Sequence, residues 1–447
     1  MSAGGLDRVL RRKRGHVLPW TPARLPSSVG WYAPNRAGLA DGATIANLAA
    51  LSGGGPALAG TAVTVDASAA LRGMPAAKFL AASSSALSAS TGGVSSGAHT
   101  IAVIARFDEV PTQPADAAYL GRQYPAALSA VGVTGSANGG KWWAGHTGSL
   151  DPRFQPAQDT QPHLFVKRST GSTVDVWIDG QHVLRASATT PAIGPGITLG
   201  GPWAAGFDGD KHLWAAAFSG AAIDLATISQ IEAWAHRECG LFRLILDGDS
   251  IAYGYGAASH GAPRDLLAGW TGTNTAAAVG AAYLPSCGLS TTVAASGTTS
   301  TQILARQAAQ VLPLLPGSDT SWVRGAGIPV WIVVSMGTND LNQANAGNHV
   351  AARDAVIANL GAYIAAARAA GANVAYLGCL SDPNGIQPAF YEADRQVINT
   401  AGRALSGAYL DPDTLGAIPR QADGFHPLSY AGIVGLARAA LAGAMGL

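Results

Sequence analysis

Apolar and polar positions alternate in two different ways along this chain. From Val29 to about Ala222, short β-type runs are separated by turn residues, and His99–Phe107, Leu164–Arg168, Thr173–Ile178 and Gly196–Leu199 read as strands. In Thr173–Ile178, Val174, Val176 and Ile178 alternate with Asp175 and Trp177, a period of two that turns one face inward. Asp179-Gly180 then bends the chain into His182–Arg185 as a hairpin. Many strands with few helices predict a sandwich or jelly roll. A helical spacing follows at Ile223–His236, through Leu225, Ile228, Ile231, Trp234 and Ala235, with Asp224 as its N-cap.

Beyond this helix the pattern changes to strands alternating with helices. Leu241, Phe242, Leu244, Ile245 and Leu246 form a buried strand that ends abruptly in Asp247, Gly248, Asp249 and Ser250. Ser300–Leu312 predicts a helix and Val330–Val334 a strand. Ala351–Ala370 predicts a helix with Val356, Leu360, Ile364 and Ala367 on one face, stopped by Gly371. Asn373–Leu380 is a further strand, and a terminal helix starts at Ser429 and runs through Ile433, Leu436, Ala440 and Leu441. This alternation predicts a parallel sheet covered on both sides. The expected organisation is a basic arm over 1–28, a β-sandwich over 29–238 and an α/β/α domain over 239–447. With so few residues between helix and strand, the two domains should be closely apposed.

The chain has 447 residues, enough for two or three cores, and only 12% are charged. Its surface must therefore be largely Ser, Thr, Asn, Gln and backbone, which suits a secreted or assembly-bound protein. A net charge of +1 gives no global attraction to nucleic acid or an anionic membrane. The local exception is Arg8, Arg11, Arg12, Lys13 and Arg14, read either as a solvated tail or as an arm that docks on other virion or assembly subunits. No apolar signal core follows it, and no uncharged apolar run reaches the ~18 residues of a membrane span. Val350–Ala370 comes nearest but is interrupted by Arg353, Asp354 and Arg368. Cys239, Cys287 and Cys379 are too scattered for a disulfide framework or a metal site and read as small buried residues. Neither metal nor cofactor is expected, and Asp208 and Asp210 read as a turn rather than a calcium site.

The candidate chemistry lies at the strand ends. Ser250 is delivered to a strand's carboxyl edge, where ligands bind in open α/β sheets, and is the candidate nucleophile. Ser296-Gly297-Thr298-Thr299 precedes a helix, Gly337-Thr338-Asn339-Asp340 ends a second strand, and Asp423-Gly424-Phe425-His426-Pro427 precedes the last helix. Each tripeptide alone is weak; their order and context carry the reading. Asp247 and Asp249 are expected to bond neighbouring backbone N–H groups and Asp340 to be structural, while His260 and His349 read as ordinary loop or surface residues.

In that order the four blocks resemble the SGNH (GDSL) hydrolase superfamily, over about 205 residues from Leu241 onward. The resemblance implies catalytic Ser250, Asp423 and His426, with an oxyanion hole formed by the backbone N–H groups of Ser250 and Gly297 and the side-chain amide of Asn339. The residue types suit the chemistry. A hydroxyl needs a base to take its proton, a neutral imidazole can do so near pH 7, and a carboxylate three residues earlier can hold the imidazole's tautomer. Ile251–Gly256 departs from the family's usual polar turn, so substrate preference does not carry over.

The amino-terminal half resembles the concanavalin A-like, laminin G-like jelly rolls through Phe165–Ala186, Ile197–Gly201 and Gly206–Ala235. Trp142 and Trp143 are a candidate stacking platform for a sugar, with core or subunit contact as the alternative. The pairing of modules resembles bacteriophage tail proteins. The expected function is removal of O-acetyl groups from a surface or extracellular polysaccharide by an extracellular or virion-associated, homo-oligomeric protein without a membrane span or specific nucleic-acid partner. A virion structural or receptor-binding protein with secondary or lost hydrolysis, and a lipase or thioesterase, are the alternatives.

Overall fold

The computed structural model describes residues 21–34, 38–51, 54–80, 83, 85–92, 97–108, 117–124, 129–134, 141–143, 153–157, 161–187, 196–201, 210–253, 287–315, 327–416, 418–421 and 426–445. Among them, the first half of the chain forms two eight-stranded sheets. In the first, the order runs Gln181–Ser187, Thr173–Ile178, His163–Thr170, Ala98–Phe107, Lys211–Ser219, Met74–Phe79, Val63–Leu71, and Ser28–Tyr32 also pairs with Lys211–Ser219. All its pairings are antiparallel. The hairpin at Asp179-Gly180 forms as expected, with both residues at positive φ (47° and 80°) and Ile178 opposite Gln181. The basic cluster and Asp208 lie outside the described residues, as does His260.

One expectation for this sheet fails. Alternation in Thr173–Ile178 implies a solvent-facing side, yet Asp175 and Trp177 are as buried as Val174, Val176 and Ile178. The reason is that both faces of the sheet are covered. Phe79, Val103, Phe107, Phe165, Val176 and Phe218 contribute to one core, while Ile104, Leu164, Val166, Trp177 and Ala217 contribute to another on the opposite face. That second core is closed by the helix Leu225–Cys239, through Ile228, Ile231, Trp234, Ala235 and Cys239. Its N-cap is Asp224, whose side chain accepts from the Thr227 N–H at 2.7 Å. Leu241 and Ile328, from the second half of the chain, join the same cluster. Arg243 also reaches the Gln181 Oε1 at 2.8 Å. The cluster under this helix therefore takes in two residues of the second half of the chain, whose parallel sheet has a separate core of its own.

That second half holds a five-stranded sheet in the order Cys287–Thr292, Phe242–Gly248, Val330–Ser335, Ala372–Leu377, Ala408–Leu410, with every pairing parallel. In chain order this is 2-1-3-4-5. The chain leaves Phe242–Gly248 first to one side and later returns to the other, which opens a crevice beyond that strand's carboxyl end. The helices Ser300–Gln310, His349–Ala369, Tyr391–Leu405 and Ala431–Met445 flank the sheet. His349–Ala369 is long and apolar enough for a bilayer by length and composition alone. Its Val356, Leu360, Tyr363, Ile364 and Ala367 pack into the sheet's core. The strand expected to reach Leu380 stops at Leu377, and the terminal helix begins at Ala431 rather than Ser429.

Candidate active site

Strand register assembles the site. Gly248 lies opposite Ser335 and Leu246 opposite Thr292, so the segments that leave the three neighbouring strands converge on Ser250. Gly248 makes the close turn possible. Its φ is 137°, and a Cβ there would sit 2.2 Å from the Ser335 carbonyl oxygen. Ser250 then begins the short helix Ser250–Tyr253 and is 4% exposed.

The imidazole arrives from the far end of the chain. Arg420 bridges Pro427, and the Gln421 N–H donates to the His426 carbonyl at 2.8 Å, forming a tight return before the last helix. This places His426 Nε2 2.8 Å from Ser250 Oγ across 176 residues of sequence. Asp423, the expected orienting carboxylate, lies outside the described residues. Trp142 and Trp143 lie on the strand Lys141–Trp143 of the second β-sheet, between Ser129–Thr134 and Arg153–Ala157, and their side chains are likewise outside the description.

Gly297 has φ 76°, and a Cβ there would meet nothing within 4 Å. Close backbone approach is the role expected of a glycine at this position; among the described residues, the left-handed backbone is what favours it. The Asn339 amide nitrogen donates to the Thr298 carbonyl at 3.0 Å, which leaves its second N–H for another acceptor. Asp340 is structural: its carboxylate accepts from the Ser300 N–H at 2.8 Å and the Ser300 Oγ at 2.7 Å, at the start of the helix Ser300–Gln310.

The two acids before Ser250 are both buried but differ in surroundings. Asp247 accepts from its neighbour's N–H, as expected, and also from Tyr363 Oη at 2.8 Å and from the Arg306 guanidinium. Burial first, and the Asp247 carboxylate second, keep the Tyr363 hydroxyl well above its ordinary pKa. Asp249 Oδ1 accepts from the Ile251 N–H at 3.0 Å and the Ser335 hydroxyl at 3.4 Å, while Oδ2 has no hydrogen-bond partner. Burial pushes the Asp249 pKa up to about 7; those hydrogen bonds only partly oppose it and the nearby Asp340 adds to it.

Nothing in the local pattern warns of Arg306 or Tyr363, which come from helices 59 and 116 positions away from Asp247. The only signal available is an arginine in a helix of otherwise neutral side chains. His349 is also more than a surface residue. Its Nδ1 lies 2.6 Å from Asp394 Oδ2, and its ring stacks on Phe390 at 4.5 Å. Cys239 and Cys379 are buried free thiols, and burial raises both pKa values, Cys379 to about 12. No group of three or more metal-ligating side chains occurs among the described residues.

A serine at the switch point of a parallel sheet, with an imidazole nitrogen 2.8 Å from its hydroxyl, is an arrangement suited to hydrolase chemistry. Residues 248–430 match the GDSL-like Lipase/Acylhydrolase family, which supports a GDSL/SGNH hydrolase in this half of the chain. Solved structures are similar at low identity. TesA is 23% identical, over 45% of this chain and 99% of that one, with a TM-score of 0.32. An acetylxylan esterase from Geobacillus stearothermophilus is 19% identical, over 46% and 94%, with a TM-score of 0.31. A Bacillus subtilis protein is 13% identical but covers 84% of this chain and 85% of its own, with a TM-score of 0.29. No curated protein matches.

Proposed function

We propose that the α/β unit is a serine esterase working through an acyl-enzyme, with Ser250 as nucleophile. The observation that carries this is the 2.8 Å contact between His426 Nε2 and Ser250 Oγ. In the proposed reaction, Ser250 Oγ attacks the ester carbonyl as its proton passes to His426 Nε2. The tetrahedral oxyanion is met by the N–H groups of Ser250 and Gly297 and by the second N–H of the Asn339 amide. Collapse expels the alcohol, which takes the proton from His426. Water, deprotonated by the same imidazole, then attacks the acyl carbon, and the acid leaves as the bond to Ser250 Oγ breaks and that oxygen takes the proton back from His426. Asp423 is assigned the role of holding the imidazole's tautomer.

The substrate assigned is an O-acetyl ester on a surface or extracellular polysaccharide, and the β region is assigned a concanavalin A-like fold that recognises the glycan. The cluster under Leu225–Cys239, which takes in Leu241 and Ile328, is what would let the β region present a polymer to the site in one geometry. The test is acetate release from acetylated xylan or capsule. Ser250→Ala is expected to lower it by about six orders of magnitude with the melting temperature unchanged. Release by this variant at the wild-type rate sinks the assignment.

A further inference from the structure

We infer that Arg306 is a positioning residue that fixes the spacing of the proposed oxyanion donors by clamping their two backbone loops together. The inference rests on the serine-esterase reading above and extends it to a residue that touches no substrate atom. Arg306 lies in the second turn of the helix Ser300–Gln310, with its side chain 12% exposed. Its Nε donates to Asp247 Oδ1 at 3.1 Å, and its Nη2 donates both to that oxygen and to the Gly248 carbonyl, the latter at 2.6 Å. Its Nη1 lies 3.3 Å from Thr298 Oγ1. One planar cation thus holds the strand end just before Ser250 and the loop that carries Gly297.

The Gly248 carbonyl is where these contacts converge. Besides Arg306, it accepts from the Ala295 N–H at 3.0 Å, and Thr298 Oγ1 lies 3.3 Å away, sharing its one proton between this oxygen and the nearer Ala295 carbonyl at 2.8 Å. Ala295 and Thr298 bracket Gly297, and Gly248 is two residues from Ser250, so this joint sets how far apart the two backbone N–H donors stand. The third donor is tied to the same loop, since the Asn339 amide bonds the Thr298 carbonyl. Asp247 keeps the guanidinium aligned and is itself held by Tyr363. The joint needs a fork rather than a point charge, because bonds must leave Nη2 and Nε in fixed directions while another leaves Nη1.

Oxyanion donors act in the transition state far more than on bound substrate, so loosening their spacing should fall on kcat and spare KM. The experiment compares wild type with Arg306→Ala, Arg306→Lys and Thr298→Val in p-nitrophenyl acetate turnover, with melting curves for each. Arg306→Ala is expected to lose on the order of 10²-fold in kcat with KM within about twofold, Arg306→Lys to recover little of it, and Thr298→Val to lose about tenfold. Methylguanidinium added to Arg306→Ala should restore turnover at least about fivefold, and methylammonium should not. Thr298→Val leaves no buried charge unpaired, so it and Arg306→Lys decide the matter if Arg306→Ala does not fold. Turnover by wild type together with unchanged kcat in the folded variants, or a loss confined to KM, overturns the inference alone. Absence of turnover in wild type overturns the serine-esterase reading and this inference with it.

Discussion

Asp175 in the β region and Asp249 in the α/β region bury a carboxyl group in opposite ways. In the β region, the buried Asp175 and the partly exposed Asp66 and Asp108 all meet basic side chains. Asp175 bonds Arg168 at 2.7 Å, Arg185 at 2.8 Å and His182 at 3.2 Å, and His212 lies 2.7 Å from Asp108 and 2.9 Å from Asp66. Burial would raise the pKa of Asp175, but the bonds from His182, Arg185 and Arg168 outweigh it and hold the group well below the usual carboxylate range. The same balance holds for Asp66, through Ser68 and His212. Beside Ser250 the balance reverses. Asp249 has one oxygen unpartnered, and its pKa moves up instead. Asp175, which ties neighbouring strands together, has both oxygens partnered, whereas Asp249, next to the proposed nucleophile, keeps one oxygen unpartnered.

The harshest challenge to this contrast is Gly248→Ala. The site tolerates an unpartnered carboxyl oxygen but has no room for a methyl 2.2 Å from a carbonyl at positive φ, so a loss above ~4 kcal/mol is expected in urea unfolding. Next comes Asp175→Ala, which strands Arg168 and His182 in a buried place and should remove about 3 kcal/mol. A loss below ~1 kcal/mol there would erase the contrast.

The pH dependence separates the regions more finely. Asp66 and Asp175 have depressed folded pKa values, so their stabilisation is present above the unfolded value near ~3.9 and is lost as pH falls through the folded ones. Asp249 has the opposite sign. Between pH ~3.9 and about 7 the folded protein holds a proton that the unfolded chain has released, so its contribution falls as pH rises across that window. Asp249→Asn should flatten melting temperature against pH from about 4 to about 7 without lowering it at the upper end. A profile identical to wild type would mean that the acid is ionised throughout. The smallest effect is expected at the helix cap: Asp224→Ala, which loses the bond to the Thr227 N–H, should cost about 1 kcal/mol in either region's unfolding signal.

The helix Leu225–Cys239, the strand before Ser250 and the Asp179-Gly180 hairpin are legible in the sequence, because each is written in adjacent residues as a period or a turn pair. Ordered blocks also bring Ser250 and His426 together, although neither block alone carries that meaning. The hidden features are long-range or small-sided. In the hairpin Val63–Leu71 with Met74–Phe79, the alternation begun at Val63 and Val65 gives way to Ala and Ser over 67–70, so only its start is marked. The strand Ala408–Leu410 is only three residues long. The faces of Thr173–Ile178 mislead because alternation reports one buried side and is silent about a helix that covers the other. Arg306 escapes because a salt bridge between segments 59 positions apart leaves no local trace.

The helix Leu225–Cys239 has a further consequence for how this molecule is born. During synthesis, a broad greasy plane remains bare until that stretch leaves the ribosome, and Leu241 and Ile328 complete its cover only later still. Shortening Leu241 or Ile328 should accordingly lower the melting temperature of the β region as well as that of the second half, since both residues cover that plane.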